Sequence, residues 1–159
     1  MTSASPDVTL QNIQPDSVLR RLIGYNLKRA YHEIQAQLSQ ALAELDLKIG
    51  SYAALSVIVN MPGLKQSALA ETLAIEQANL VQLLDRLEAK QLIKRERAHS
   101  DRRAYALFAT PQGRKLCTEA DETASRLEEN FLRGLSEEDI SALFRLLQHI
   151  ETSVRKRKA

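Results

Sequence analysis

Apolar residues recur at three- and four-residue steps from Leu19 through Ile23, Leu27, Ala30, Ile34, Leu38 and Ala41 to Leu45. That spacing lays one stripe along a helix, so the periodicity predicts a long helix from Asp16 to about Leu45, with Asp16 or Ser17 as its cap. At 1.5 Å per residue such a helix is about 45 Å long. A single small core cannot cover that length, which suggests bracing between subunits. Gly50-Ser51 interrupts the run, and Ser51 is placed to cap a second helix through Asn60. Met61-Pro62-Gly63 signals a turn. Two helical patterns follow, 66–73 and 76–91, with only Ala74-Ile75 between them. Two helices joined so tightly form a helix-turn-helix unit.

The period then changes. Residues 92–98 and 104–110 have strand character: Ile93, Arg95 and Arg97 share one parity, and Tyr105, Leu107 and Ala109 alternate likewise. The polar run 99–103 between them is read as a hairpin tip. Thr110-Pro111 starts a further helix, with Thr as cap and Pro in the first turn. Its stripe is Leu116, Ala120, Ala124, Leu127 and Phe131, and Gly134 ends it. Ser136 and Asp139 have capping-box spacing. The last helix places Ile140, Leu143, Phe144, Leu147, Ile150 and Val154 on one face and finishes in the basic run 155–158, where the helix dipole favours cations.

A helix-turn-helix followed directly by a basic-tipped hairpin is a winged helix. The expected fold is therefore mainly α with a small β-hairpin wing. A flexible arm (1–15) precedes an N-terminal helix (16–48), a winged helix-turn-helix domain (49–110) and C-terminal helices (111–159). The chain's 159 residues suffice for one compact domain with a sizeable core. No apolar run approaches the roughly 18 residues of a membrane span, and the first residues lack the basic start and apolar core of a secretory signal. The single cysteine excludes an internal disulfide framework and fits a reducing cytoplasm.

Net charge is only +2, so a nucleic-acid reading rests on local clustering. On helix 76–91 the stripe Leu80, Leu83, Leu84 and Leu87 is the buried side. The other side carries Ala78, Gln82, Asp85 and Ala89, flanked by Asn79, Val81 and Arg86, with Gln77 at the start. Helices that enter the major groove read bases with side chains near their N-terminal ends. The amides of Asn79 and Gln82 can pair bidentately with adenine, and Val81 can touch a thymine methyl. Glu76 is placed to cap the helix's free N–H groups. Lys65 stands where the helix from Gln66 would prefer Ser or Thr, and a nearby phosphate would offset its unfavourable position on the dipole. On the hairpin, Lys94, Arg95, Arg97, Arg102 and Arg103 face only Glu96 and Asp101. Arginine suits the negative potential of a narrow minor groove. Asp101 repels phosphate, so its expected task is to hold the turn's shape through hydrogen bonds.

The stretch from Ser67 to Leu116 resembles the winged-helix core of the MarR (multiple antibiotic resistance regulator) family. The landmarks are the Leu69-Ala70-Glu71 of the first helix, the Asp85-Arg86-Leu87-Glu88 of the second, and the Asp101-Arg102-Arg103 wing through Thr110 and Gly113. The resemblance implies a homodimer whose first and last two helices intertwine for dimerisation. It implies binding of a pseudo-palindromic double-stranded DNA operator, usually as a repressor, and release by a small aromatic ligand. It places Asp101 as the wing's orienting acid and Arg102 or Arg103 in the minor groove. The chain departs from the family at Ala78, Asn79, Val81 and Gln82, where Ser or Thr with an Arg is frequent. It departs again at Ala74, where glycine is frequent; a positive φ there costs Ala about 1 kcal/mol. The stretches 61–69 and 23–30 resemble members that control aromatic-acid breakdown, some responsive to aryl-coenzyme A thioesters.

For an aromatic ligand the candidates are Arg21, Tyr25, Arg29 and His32, on the side of the first helix away from its stripe, and Tyr52 on the next. A cation beside phenol rings suits an aromatic carboxylate, with charge-assisted bonds at one end and ring packing at the other. Cys117, at the edge of its helix's stripe, reads as buried and inert. His32, His99 and His149 are scattered without metal spacing. No phosphate loop, nucleophile elbow or paired-acid pattern stands out. The expectation is a cytoplasmic DNA-binding regulator that is not an enzyme, needs no cofactor and has no membrane partner. The other reading is a helical module that uses its winged helix for a protein partner, suggested by the low net charge and by Glu76 and Asp85.

Overall fold

The structure, a computed structural model, describes residues 15–98 and 101–156, with side chains described at all of these except 98, 101–104, 155 and 156. The expected arm before Pro15, His99, Ser100 and the last basic residues lie outside the described residues. One turn of 3-10 helix (Leu19–Arg21) leads to α1 (Ile23–Ala43), α2 (Ile49–Asn60), β1 (Leu64–Lys65), α3 (Gln66–Leu73), α4 (Gln77–Ala89), β2 (Ile93–Ala98), β3 (Asp101–Ala109), α5 (Pro111–Phe131) and α6 (Glu137–Lys156). The chain divides into two compact units, Met1–Gln37 and Leu38–Ala159.

In the first unit the helix begins at Ile23, not at Asp16. Leu22 is extended, at φ −95° and ψ 125°. The Asn26 side-chain amide donates to the carbonyls of Arg20 at 2.7 Å and Leu22 at 2.9 Å, the latter also accepting the Asn26 backbone N–H at 3.2 Å. Asp16 caps nothing: Arg20 Nε donates to its Oδ1 at 3.0 Å and the Tyr25 hydroxyl to its Oδ2 at 2.8 Å. The apolar period runs through this break unmarked, because Leu19 and Ile23 stand four apart whether or not the backbone between them is helical. Leu19, Leu22, Ile23, Leu27 and Ile34 of this unit are exposed.

The second unit holds the core. Leu42, Leu55, Ile58, Leu69, Leu107 and Cys117 are fully buried there. The α4 stripe, Leu80, Leu83, Leu84 and Leu87, is buried as its spacing predicts. The chain reverses earlier than Gly50-Ser51: α1 stops at Ala43, Asp46 has φ 51°, and Lys90 Nζ donates to the Asp46 carbonyl at 2.6 Å. Ser51 therefore lies inside α2 and is buried, while the cap position belongs to Lys48.

The wing is part of a three-stranded antiparallel sheet in the order β1-β3-β2. The hairpin was expected; β1 was not, since two residues show no alternation. It pairs Leu64 with Leu107 and Lys65 with Ala106. In the β2–β3 ladder Ile93 faces Ala109, Arg95 faces Leu107 and Arg97 faces Tyr105. The register then shifts and Ala98 pairs with Asp101, so Asp101 belongs to β3 rather than to a five-residue tip.

Three local devices are as the sequence suggests. Thr110 caps α5, its hydroxyl accepting from Gly113 N at 3.0 Å, with Pro111 in the first turn. Ser136 and Asp139 exchange bonds at the start of α6, each backbone N–H donating to the other's side chain at 3.2 Å. Ala74 is left-handed at φ 52° and ψ 42°, closing α3 through Ala74 N to Glu71 O and Ile75 N to Ala70 O. Along α6, Leu143, Phe144, Leu147, Ile150 and Val154 are exposed.

Replacing Ala74 by Gly relieves the left-handed strain and is expected to raise unfolding free energy by up to about 1 kcal/mol, measured by urea titration. Gly113→Ala has the opposite sign. A β-carbon there would stand 1.9 Å from the Leu92 carbonyl oxygen, which is backbone and cannot rotate away. A loss of about 3 kcal/mol or more is expected in the same titration.

Candidate functional site

The turn Ala74-Ile75-Glu76 sets α4 against α3, and burial of the leucine stripe turns the opposite face outward. Gln77, Ala78, Asn79, Val81, Gln82 and Arg86 are all exposed on that face. Asn79, Gln82 and Arg86 also border a cleft of about 420 Å³ floored by Leu73, Ile75 and Leu83. Glu76 holds the cap position, but its side chain makes no bond to the helix, so the expected capping by its carboxylate is absent. Lys65 stands at the cap position of α3 without a side-chain cap bond, as its sequence position implies, and also closes β1.

The wing's basic residues divide. Arg95, expected as a free cation for DNA, is turned inward and held by two carboxylates of α4. Its Nε and Nη2 donate to Glu88 Oε2 at 2.9 and 2.6 Å, Nη2 also reaches Asp85 Oδ1 at 2.5 Å, and its backbone N–H donates to Glu88 Oε1 at 3.2 Å. Only 19% of the side chain is exposed. The reason is parity: Arg95 shares the inner face of the ladder with Ile93 and Leu107, so its charge has to be matched locally. The signal was in the sequence, since Asp85 and Glu88 stand three apart on one helix face. Arg97, one step further out, is exposed and has no ion pair among the described residues. Lys94 pairs with Glu96 at 2.5 Å and lies 5.7 Å from the Phe108 ring centroid. The backbone of Asp101, Arg102 and Arg103 runs in β3, and their side chains lie outside the described ones.

The ligand candidates also divide. In the first unit Tyr25, Arg29 and His32 border one cleft of about 280 Å³ together with Lys28 and Glu33. Arg29 lies 5.9 Å from the Tyr25 ring centroid and its Nη1 reaches Asp16 Oδ2 at 3.4 Å. The Tyr25 hydroxyl, then Arg20, hold the Asp16 carboxyl below its ordinary value. Lys28 was missed, although positions 25, 28, 29 and 32 share a helix face. Arg21 is exposed in the 3-10 turn and does not line the cleft. Tyr52 belongs to the second unit, where its hydroxyl donates to Asp121 Oδ1 at 2.7 Å. Burial first, then this bond, raises its pKa. The buried Cys117 thiol donates to Asp121 Oδ2 at 3.6 Å. Burial and that carboxylate push it up to about 11. Among the described residues no His, Cys, Asp and Glu group could hold a metal ion. No described helix is long and apolar enough to cross a membrane.

The MarR family model matches residues 47–105, from the start of α2 to the middle of β3. A protein of Thauera aromatica, named as a transcriptional regulatory protein for the hcr operon, is 31% identical over 129 residues, 80% of this chain and 78% of that one. The chain belongs to the MarR family. It is a DNA-binding transcription regulator and not an enzyme. Among solved structures, the transcriptional repressor CouR bound to a 23-mer DNA duplex is 31% identical. It has a TM-score of 0.82, covering 88% of this chain and 99% of that one. CouR from Rhodococcus jostii RHA1 bound to p-coumaroyl-CoA is 25% identical, with a TM-score of 0.75 over 83% of this chain and 93% of that one. The family assignment favours transcription regulation over a module that serves only a protein partner.

With its thiol raised to about 11 and buried, Cys117 should react with a disulfide reagent at pH 8 at least about 100-fold more slowly than in urea-unfolded protein. Equal rates would show that the α2–α5 contact around it opens freely.

Proposed function

We propose that this regulator is a homodimeric repressor that a small aromatic effector, an aromatic acid or its coenzyme A thioester, releases from a pseudo-palindromic operator. The observation that carries the DNA half of this reading is the exposed face of α4. The amides of Asn79 and Gln82 stand beside Arg86, and the wing carries an exposed Arg97. Two such helices related by a two-fold axis would enter successive major grooves about 10 base pairs apart. Lys65 and Arg97 would contact phosphates, Asp101 would hold the wing's shape, and Arg102 or Arg103 would enter the minor groove. Arg95 aligns the wing on α4 instead of meeting phosphate.

Dimerisation would use 16–48 and 111–159. Support comes from the exposed apolar side chains of both segments, Leu19, Ile23 and Leu27 in the first and Leu143, Phe144 and Ile150 in the second. Exposed apolar side chains spaced along one helix are what an interaction site presents. The effector reading is supported by the cleft at Tyr25, Arg29 and His32. The p-coumaroyl-CoA complex of CouR supports the thioester class.

A gel shift with DNA upstream of the protein's own coding region, with and without p-coumaroyl-CoA, tests the reading. Salt-sensitive binding relieved by the thioester is expected; absence of binding there and at neighbouring promoters would sink it. Replacing Arg102 or Arg103 by Ala should weaken operator binding, and for the arginine in the groove should reduce the salt slope by about one. Arg95→Ala should weaken binding with the slope unchanged, because its charge is already matched. Unchanged affinity in both wing variants would remove the wing from the interface.

A further inference from the structure

A carboxylate of the protein itself already engages Tyr25 and Arg29, two walls of the effector cleft, whose lining also includes Glu33. Asp16, upstream of α1, reaches forward nine residues to Tyr25 and thirteen to Arg29. Its Oδ1 takes the Arg20 Nε–H at 3.0 Å. Its Oδ2 takes the Tyr25 hydroxyl at 2.8 Å and lies 3.4 Å from Arg29 Nη1. One phenol and two guanidinium groups therefore converge on two carboxylate oxygens. Two of these donors, the Tyr25 phenol and the Arg29 guanidinium, line the cleft and are what an aromatic acid, or a phosphate of a coenzyme A thioester, would ask of it.

Resting on the effector cleft proposed above, we infer that Asp16 is an internal stand-in for the effector's oxyanion and that the effector binds by displacing it. Arg29 keeps 51% of its side chain exposed and can be reached without unpacking a core. Lys28 and His32 line the same cleft and have no ion pair among the described residues, so they remain for the rest of the ligand. The tethered carboxylate competes at high effective concentration. An anion without a ring gains too little to replace it, whereas an aromatic anion adds packing on Tyr25. Asp16 thereby sets a threshold on which anions count as effectors. Its departure also removes the side-chain bonds from Tyr25 and Arg29 of α1 to the 16–22 turn and leaves only those of Asn26, so occupancy loosens the segment ahead of the helix.

Isothermal titration of the full-length protein with p-coumarate, p-coumaroyl-CoA and coenzyme A tests this. In Asp16→Asn, which keeps the size but loses the charge, at least one of these anions should bind about ten-fold more tightly than in the native protein. A gain for p-coumarate alone identifies the carboxylate as the displacing group, and gains for coenzyme A and its thioester identify phosphate. Arg29→Gln should abolish that gain in the Asp16→Asn background. An equal gain when Arg29→Gln is also present would overturn the inference, because the vacated seat would not be its source. Native protein that binds any of the three, with no affinity among them raised by Asp16→Asn, overturns the stand-in and leaves the cleft standing. No binding of any probe to either form overturns both. Thermal melts of each variant confirm that the comparison is between folded proteins.

Discussion

One backbone carbonyl ties α4, the wing and α5 together. Leu92 closes the turn after α4 through its N–H to Leu87 O at 3.0 Å, and its own oxygen accepts from Thr110 N at 3.0 Å and from the Thr110 hydroxyl at 3.2 Å. The first turn of α5 comes so close to that oxygen that Gly113 can carry no side chain. Three elements with different tasks thus share a joint a few ångströms across, built from backbone atoms that have no rotamers to adjust. Arg114, whose Nη1 donates to Ala109 O at 2.7 Å, adds a fourth bond to the same joint. A displacement of α5 cannot be absorbed there and has to pass into the wing root.

Arg95 extends that rigidity along the wing. The joint fixes where β2 leaves α4; the pair of carboxylates on Arg95 fixes the angle at which it runs. The arrangement commits a cation that a simple count would leave free, and it offsets one of the two negative charges that Asp85 and Glu88 place on α4. The low net charge of the chain is less of a puzzle once these charges are seen to be matched among themselves.

What was legible in the sequence is what is decided locally. The leucine stripe of α4, the Thr110 cap and the Ser136–Asp139 box each depend on residues within about one turn of one another, and each is where its spacing puts it. The start of α1 was not legible, because the competing bonds of Asp16 and Asn26 leave the apolar period intact. Ser51 has the right chemistry for a cap but is overruled by the burial of α2 in the core. The parity of Arg95 with Ile93 and the acids at Asp85 and Glu88 were visible; that they meet was not, since it follows from how β2 packs on α4. In the cleft on α1, helix spacing put Tyr25, Arg29 and His32 on one face, as they are; Asp16, the residue that engages two of its walls, lay in a stretch read as a cap.

The third strand changes what kind of object the wing is. A hairpin on its own is a two-stranded ribbon, marginal in water and free to swing about its base. Here β3 is the middle strand, and Leu64 and Lys65 clamp its far end to the chain that leads straight into α3. The wing is then a cantilever built into its wall on both sides, not a hinged flap. Any load on its tip arrives as torque on the entry to α3, so the wing and the α3–α4 pair respond as one body.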